Sequence, residues 1–310
     1  MKKYIILFLI ASLWQHVIAQ VTGEVNVLDR DIFYIQYTPE TGISDDINYQ
    51  KWSSKLGLPP IRSGKLSIFN TLGLDVHAFD YGTSNLITDT GELEGFYNVN
   101  YSLFIHHKFS DKWSLNALAT PFLLSNFEGD FSEDDFDFNG NIFLERTFFR
   151  KKGGYIKLGL GVGYMTLNGT KQVTPISQLK ARFNEKLSIV LGIPNTYVKW
   201  DFHKRHSLKI LGDLNDFSAN LSGDNTFLNN SEEEKIVFTT VAAGLEYNLW
   251  VTPSVGIMVK GTYPIWGEYE IRDSDDASLF GFDASFDRPF IGVGLKFNPI
   301  RSLQNSLNPL

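Results

Sequence analysis

The sequence predicts an all-β protein, a single antiparallel transmembrane β-barrel, and three observations carry that prediction. The chain opens with an export-type leader; no later segment approaches the length of an apolar membrane helix; and segment after segment alternates apolar residues with Gly or polar residues. About 14 strands are expected, with 12 as the alternative, joined by short periplasmic turns and longer acidic external loops.

The leader is read from Met1-Lys2-Lys3, the apolar run Tyr4 to Trp14 and the small-residue exit Val17-Ile18-Ala19. A basic start, an apolar core too short to span a bilayer and a small residue at the exit make residues 1–19 a signal peptide, with Gln20 first in the mature chain. Residues 20–299 are assigned to the barrel and 300–310 to a tail that lacks strand alternation. Without Cys after the exit, a lipoprotein anchor is excluded, and zero Cys in an exported chain removes disulfide staples. Losing Lys2 and Lys3 leaves 28 − 2 = 26 basic against 35 acidic residues, a formal −9. Such a balance argues against a nucleic-acid partner, which needs a basic face.

The alternation is clearest in Tyr155–Tyr164, where Ile156, Leu158, Leu160, Val162 and Tyr164 oppose Lys157, Gly159, Gly161 and Gly163. A helix would scatter those glycines and be weakened by each, whereas a strand sorts them onto one face. The same rule sets Ile291, Val293, Leu295 and Phe297 against Gly292, Gly294 and Lys296. It recurs around Val198–His203, Leu179–Phe183, Val241–Asn248 and Val255–Lys260. Nearer the N-terminus, strands are expected around 31–38, 46–58 and 65–79.

Connections fall into two kinds. Ser110-Asp111-Lys112, Arg150–Gly153, Asn184-Glu185-Lys186 and Lys204-Arg205 are tight and basic, whereas 127–135, 222–234 and 273–287 are longer and acidic. For the turns at 184–186 and 204–205 to share a side, the chain must reverse once between them, and Pro194-Asn195 supplies the break. Aromatics near strand ends (Trp113, Phe148, Phe149, Tyr155, Tyr197, Tyr247, Trp250, Tyr263, Trp266) are expected to form interfacial girdles or, failing that, sheet-core rings.

Two stretches also carry a resemblance: Ser110-Asp111-Lys112-Trp113-Ser114-Leu115 running to Asp135-Phe136, and Leu158–Tyr164 running to Leu191-Gly192-Ile193-Pro194. In that order they resemble an uncharacterised family of outer-membrane β-barrel proteins of gram-negative bacteria, known by a domain-of-unknown-function label, over roughly 30–298. The resemblance implies the barrel and the outer membrane, reached after signal-peptide-dependent export. It implies no activity and no functional residues. Outer-membrane lipid, lipopolysaccharide and the barrel-assembly machinery are the partners such a location brings.

Chemistry is sparsely encoded. The five histidines outside the leader, His77, His106, His107, His203 and His206, have no Ser and acid set beside them in sequence, so no enzyme and no cofactor are expected. The acidic runs lack EF-hand spacing, leaving solvated loops as the main reading and divalent-cation bridging of loops as a hypothesis. The polar faces of the strands say more. Lys157, Lys180, Arg182, Lys199, Lys209, Lys260 and Lys296, with Asp75, Asp201, Asp213 and Glu246, alternate away from the apolar face. A charge at the hydrocarbon midplane costs about 2–4 kcal/mol, so these side chains are assigned to the lumen. Two functions follow: passive or ligand-gated passage of small polar, anionic solutes past the lysines, or a structural or surface-interaction barrel whose lumen is filled by a paired network.

Overall fold

The computed structural model describes residues 31–299, leaving out 83–92, 130–131, 151–153, 193–195, 222–234, 274, 285 and 287. The predicted signal peptide and the tail at 300–310 lie outside the described residues. Sixteen strands follow in chain order: β1 (Phe33–Gly42), β2 (Asn48–Gly57), β3 (Ile61–Ser63), β4 (Leu66–Asp80), β5 (Gly95–Lys108), β6 (Trp113–Ser125), β7 (Phe136–Phe149), β8 (Tyr155–Leu167), β9 (Thr170–Arg182), β10 (Leu187–Gly192), β11 (Thr196–His203), β12 (His206–Asn220), β13 (Lys235–Trp250), β14 (Val255–Arg272), β15 (Ser278–Asp283) and β16 (Phe290–Phe297).

Two pairs of these are single staves broken in the middle. Gly57 pairs with Thr71 and Ile61 with Ile68 on the same β4, so Leu58-Pro59-Pro60 is a bulge within one stave. Likewise β15 and β16 both pair with β14, at Glu268–Arg272 and Val255–Thr262. Among the described residues the sheet therefore closes as a 14-stave antiparallel barrel, and β1 meets β16 at a seam of five residue pairs, Phe33↔Phe297 to Tyr37↔Val293. An acidic loop was expected across 273–287; instead Ser278–Asp283 is a strand, its Phe280 and Phe282 turned inward, with acids at both ends obscuring the alternation.

The turns follow their sequences. Ser110 Oγ accepts from the N–H groups of Lys112 and Trp113 at 3.2 Å, and Asn184 Oδ1 accepts from Lys186 and Leu187 at 2.8 Å. Asn168-Gly169 joins β8 to β9 with φ of 48° and 72°, the left-handed pair that a two-residue hairpin turn demands. Pro264 sits in β14 where the register with β13 slips between Val241 and Ala242, a bulge that tolerates a missing N–H.

Alternation sorts the wall into an apolar exterior and a filled interior. Leu160, Val162 and Ile265 are 69 %, 51 % and 70 % exposed, and Leu72, Val99, Ile210, Leu245 and Val293 join the same outward belt. So large an apolar surface on one closed sheet is the signature of a barrel bathed in hydrocarbon. The aromatic expectation needs correction at three positions. Trp250 follows Glu246 and Asn248 onto the inner face and is buried. Tyr155 and Tyr197 also face inward, beneath the ammonium groups of Lys157 and Lys209 at 5.5 and 5.1 Å.

Inside, the two ends differ. Toward the long-loop end, sixteen buried side chains from both sides of the wall form one apolar core, among them Tyr49, Phe79, Tyr81, Phe96, Phe122, Phe217, Phe238 and Tyr269. Rings of Tyr49 and Phe238 lie 5.0 Å apart and those of Phe79 and Phe217 5.9 Å. Over this core the barrel pinches, and Ser125 at the end of β6 bridges in parallel to Asn220 at the end of β12. The intervening staves accommodate the pinch. Pairing of β10 with β9 stops at Gly192↔Gln178 and of β11 with β12 at Thr196↔Gly212, while β9 and β12 run on. The β8–β9 hairpin then folds onto β12 and β13: Asn168 N–H donates to Asp216 Oδ2 at 3.0 Å, Thr239 Oγ1 donates to Asp216 Oδ1 at 2.8 Å, and Arg272 Nη1 donates to the Asn168 carbonyl at 3.0 Å.

Candidate functional site

The candidate site is the lower lumen, between the apolar core and the short-turn end, because inward alternation collects the charges there. Register explains how. Lys199, Lys209, Glu246 and Lys260 form one row across β11, β12, β13 and β14, each directly opposite the next. Adjacent lysines repel across a sheet, so an acid must sit within reach of each. Glu246 does so for Lys209 and for Lys296 of the neighbouring β16. Its Oε1 accepts from Lys296 Nζ at 2.7 Å and lies 3.4 Å from Lys209 Nζ, and Asn248 Nδ2 donates to it at 2.9 Å. Lys296 Nζ also lies 3.4 Å from Asp31, Lys199 is paired with Asp201 at 3.4 Å, and Lys260 with Asp213 at 2.6 Å.

On the opposite arc the same problem recurs with Lys157 directly across from Lys180. Glu145 of β7 resolves it, lying 2.9 Å from Lys157 Nζ and 3.5 Å from Lys180 Nζ. Of the lumen charges expected from sequence, Lys157, Lys180, Lys199, Asp201, Lys209, Asp213, Glu246, Lys260 and Lys296 are thus drawn into ion pairs. Arg182 stands apart at the short-turn end, its Nε donating to the Asn184 carbonyl at 3.4 Å. Glu145 escaped the sequence reading, although Ile142 and Leu144 alternate with Phe143 and Glu145 and would have placed it inward.

A cavity of about 190 Å³ opens along the wall of β1, β2, β4, β5, β12, β13, β14 and β16. Tyr49 and Phe290 of the apolar core roof it, Tyr34 and Lys55 mark its lower end, and Lys51, Asp75, Asp213 and Lys260 charge its sides. Lys51 and Lys55 were also missed from sequence: β2 carries Trp52, Ser54 and Leu56 on its other face, too mixed to announce an inward side.

The histidines have structural partners. His77 Nδ1 and Tyr49 Oη are 2.8 Å apart in the apolar core, His106 Nδ1 lies 2.7 Å from Asn116 Oδ1, and His206 Nδ1 lies 2.6 Å from Tyr247 Oη. Among the described residues no group of three or more His, Cys, Asp or Glu could hold a metal ion. Asp135, from the acidic loop at 127–135, instead ties that loop down, accepting from Ser132 N–H and Asn220 Nδ2 at 2.9 Å each.

With this geometry in place, comparison with known proteins identifies the family. The model for the family described as Domain of unknown function (DUF6268) matches residues 89–298. The chain belongs to that family. The DUF6268 match covers everything from the β4–β5 connection to the end of β16, including every ion pair above except the contact with Asp31. Among curated proteins no match is found. Of solved structures, the translocator domain of autotransporter NalP from Neisseria meningitidis is similar at 13 % identity and a TM-score of 0.33, over 87 % of this chain and 90 % of that one. The β domain of the Bordetella autotransporter BrkA is similar at 9 % identity and a TM-score of 0.29, over 86 % and 97 %.

Proposed function

We propose that this DUF6268 chain is an outer-membrane barrel closed at its external end, a structural or surface-interaction protein rather than an open pore. On this reading a signal peptide directs export and the barrel-assembly machinery inserts the barrel among lipid and lipopolysaccharide. The short turns and both termini then face the periplasm. The barrel has no catalytic role, its histidines serving as hydrogen-bond partners. The observation that carries the reading is the apolar core of sixteen buried side chains across the long-loop half. An aqueous passage needs a polar lining along its length, and aromatic rings packed edge to face leave water no path. The lower lumen supports the reading too, since nine of its expected charges are taken up in ion pairs.

Passage of small anionic solutes is the second reading, favoured by the lysine surplus in the row of β11 to β14; it requires the core to part. Planar bilayers decide between them. Protein shown to be folded by its heat-dependent gel mobility is expected to give no steady conductance. A variant carrying Tyr49→Ala, Phe217→Ala and Phe238→Ala is expected to open. Stepwise, anion-selective openings from the unaltered chain would overturn the closed-barrel reading.

A further inference from the structure

Two opposite charges in the lumen cavity have not been used. Asp75 is 7 % exposed and lines the cavity, yet its carboxylate makes no hydrogen bond or ion pair among the described residues. Lys51 lines the same cavity, reaching across to β12 to donate to the neutral Asn215 Oδ1 at 3.2 Å, with no carboxylate within 4.0 Å among the described residues. An ammonium has three donors and a carboxylate about four acceptor sites, so both groups keep most of their capacity.

Register explains why they do not satisfy each other. Asp75 lies directly opposite Ser53, and Lys51 opposite His77, which makes Asp75 and Lys51 diagonal neighbours, about 7–8 Å apart at the backbone. Lys51 extends over the cavity toward β12 instead of down toward Asp75. Burying a charge without an opposite partner is costly, and here the buried Asp75 and the half-buried Lys51 are held at a fixed spacing on rigid strands beside a space of about 190 Å³. That volume accommodates at least about six waters at liquid density. A solute with one charge would satisfy one group and leave the other; a solute with both would satisfy the pair.

We propose that this cavity binds a small zwitterion of α-amino-acid size, its ammonium on Asp75 and its carboxylate on Lys51. Tyr49 and Phe290 roof the cavity, and Tyr34 at its lower end lies one residue from the short-turn end of β1, so the solute enters from the periplasmic side. The neighbouring Lys260–Asp213 pair, at 2.6 Å, stays closed and supplies a neutral wall. The proposal deepens the closed-barrel reading and rests on it for the direction of entry.

The test is calorimetric titration of the full chain, folded in detergent, with glycine, L-alanine and L-serine, and with propionate and ethylammonium as single-charge controls. At least one amino acid is expected to bind saturably in the millimolar range or tighter, at least tenfold better than either control. Asp75→Asn and Lys51→Met are each expected to weaken it tenfold or more, while Lys171→Met, on an exposed strand end, leaves it unchanged. Gel mobility verifies that each variant folds. If neither variant folds, Lys51→Arg and Asp75→Glu replace them, and each must shift the affinity. Silence from all three amino acids, binding equal to that of the controls, or binding indifferent to both positions would overturn the proposal. None of these results depends on conductance, so a barrel that conducts yet binds would refute the closure and leave the site standing.

Discussion

Neutralising Glu246 is the sharpest test of the lumen network. Glu246→Gln keeps the shape and the amide contact with Asn248 but removes the negative charge that faces Lys296 at 2.7 Å and Lys209 at 3.4 Å. Lys296 retains Asp31 at 3.4 Å, whereas Lys209 loses the charge that faces it and stays directly opposite Lys199. Charge-assisted hydrogen bonds contribute about 1.5–3 kcal/mol, and breaking a buried pair from one side costs about 3–5 kcal/mol. Because Lys209 keeps 16 % of its side chain exposed and Lys296 keeps a second partner, the lower part of that range applies, about 3 kcal/mol or roughly a hundredfold in the folding equilibrium. Reversible urea unfolding in lipid vesicles, followed by gel mobility and tryptophan fluorescence, measures it. Adding Lys209→Met should recover part of the loss, since coupled neighbours are not additive. A cost for Glu246→Gln below about 0.5 kcal/mol, the scale of an exposed pair, would refute the claim that this network holds the lower barrel together.

The other expectations are briefer. Phe238→Ala removes a fully buried ring from the apolar core and should cost about 3–5 kcal/mol in the same unfolding assay; an unchanged midpoint would mean the core contributes nothing to stability. Asp216→Ala strips the acceptor from Asn168 N–H and Thr239 Oγ1, so the β8–β9 hairpin should loosen by about 1–3 kcal/mol and trypsin should cut faster at Lys171, with unaltered digestion counting against the latch. Lys180→Glu sets a second acid beside Glu145 and should lower stability by more than about 2 kcal/mol, whereas Arg182→Glu, at a position that meets a turn carbonyl, should stay within about 0.5 kcal/mol; equal effects would contradict the different surroundings of the two residues.

What was legible in the sequence is what a period of two can write. Wherever Gly or a charge alternates with Val, Ile or Leu, as in Tyr155–Leu167 and Phe290–Phe297, the strand, its inward face and its lumen charges all follow. Tight turns were legible from Ser110, Asn184 and their neighbours because those side chains cap their own backbone. The apolar core was not. Phe79, Phe96, Phe217 and Phe238 occupy inward positions that further down the same strands carry polar or charged side chains, and a change of inward character along one strand has no periodic signature. Nor does alternation report which inward residues meet across the lumen, so the Lys51–Asn215 contact, spanning 164 residues of sequence, could be found only in three dimensions.

The seam where the first stave meets the last has a consequence for how the wall comes apart. It is held by five residue pairs, whereas β12 and β13 share fifteen and β4 and β5 thirteen. On its far side β16 is itself half a stave, joined to β14 by eight. Among the described residues β9 with β10 and β10 with β11 are as short, at five and four pairs. Each of those joins strands consecutive in the chain, which their connection holds together, whereas β1 and β16 have no such tether. The first and last strands of this chain are therefore where breathing of the wall should begin, and where amide protons should exchange earliest. A machine that must hold a half-made cylinder open would have its easiest grip there too.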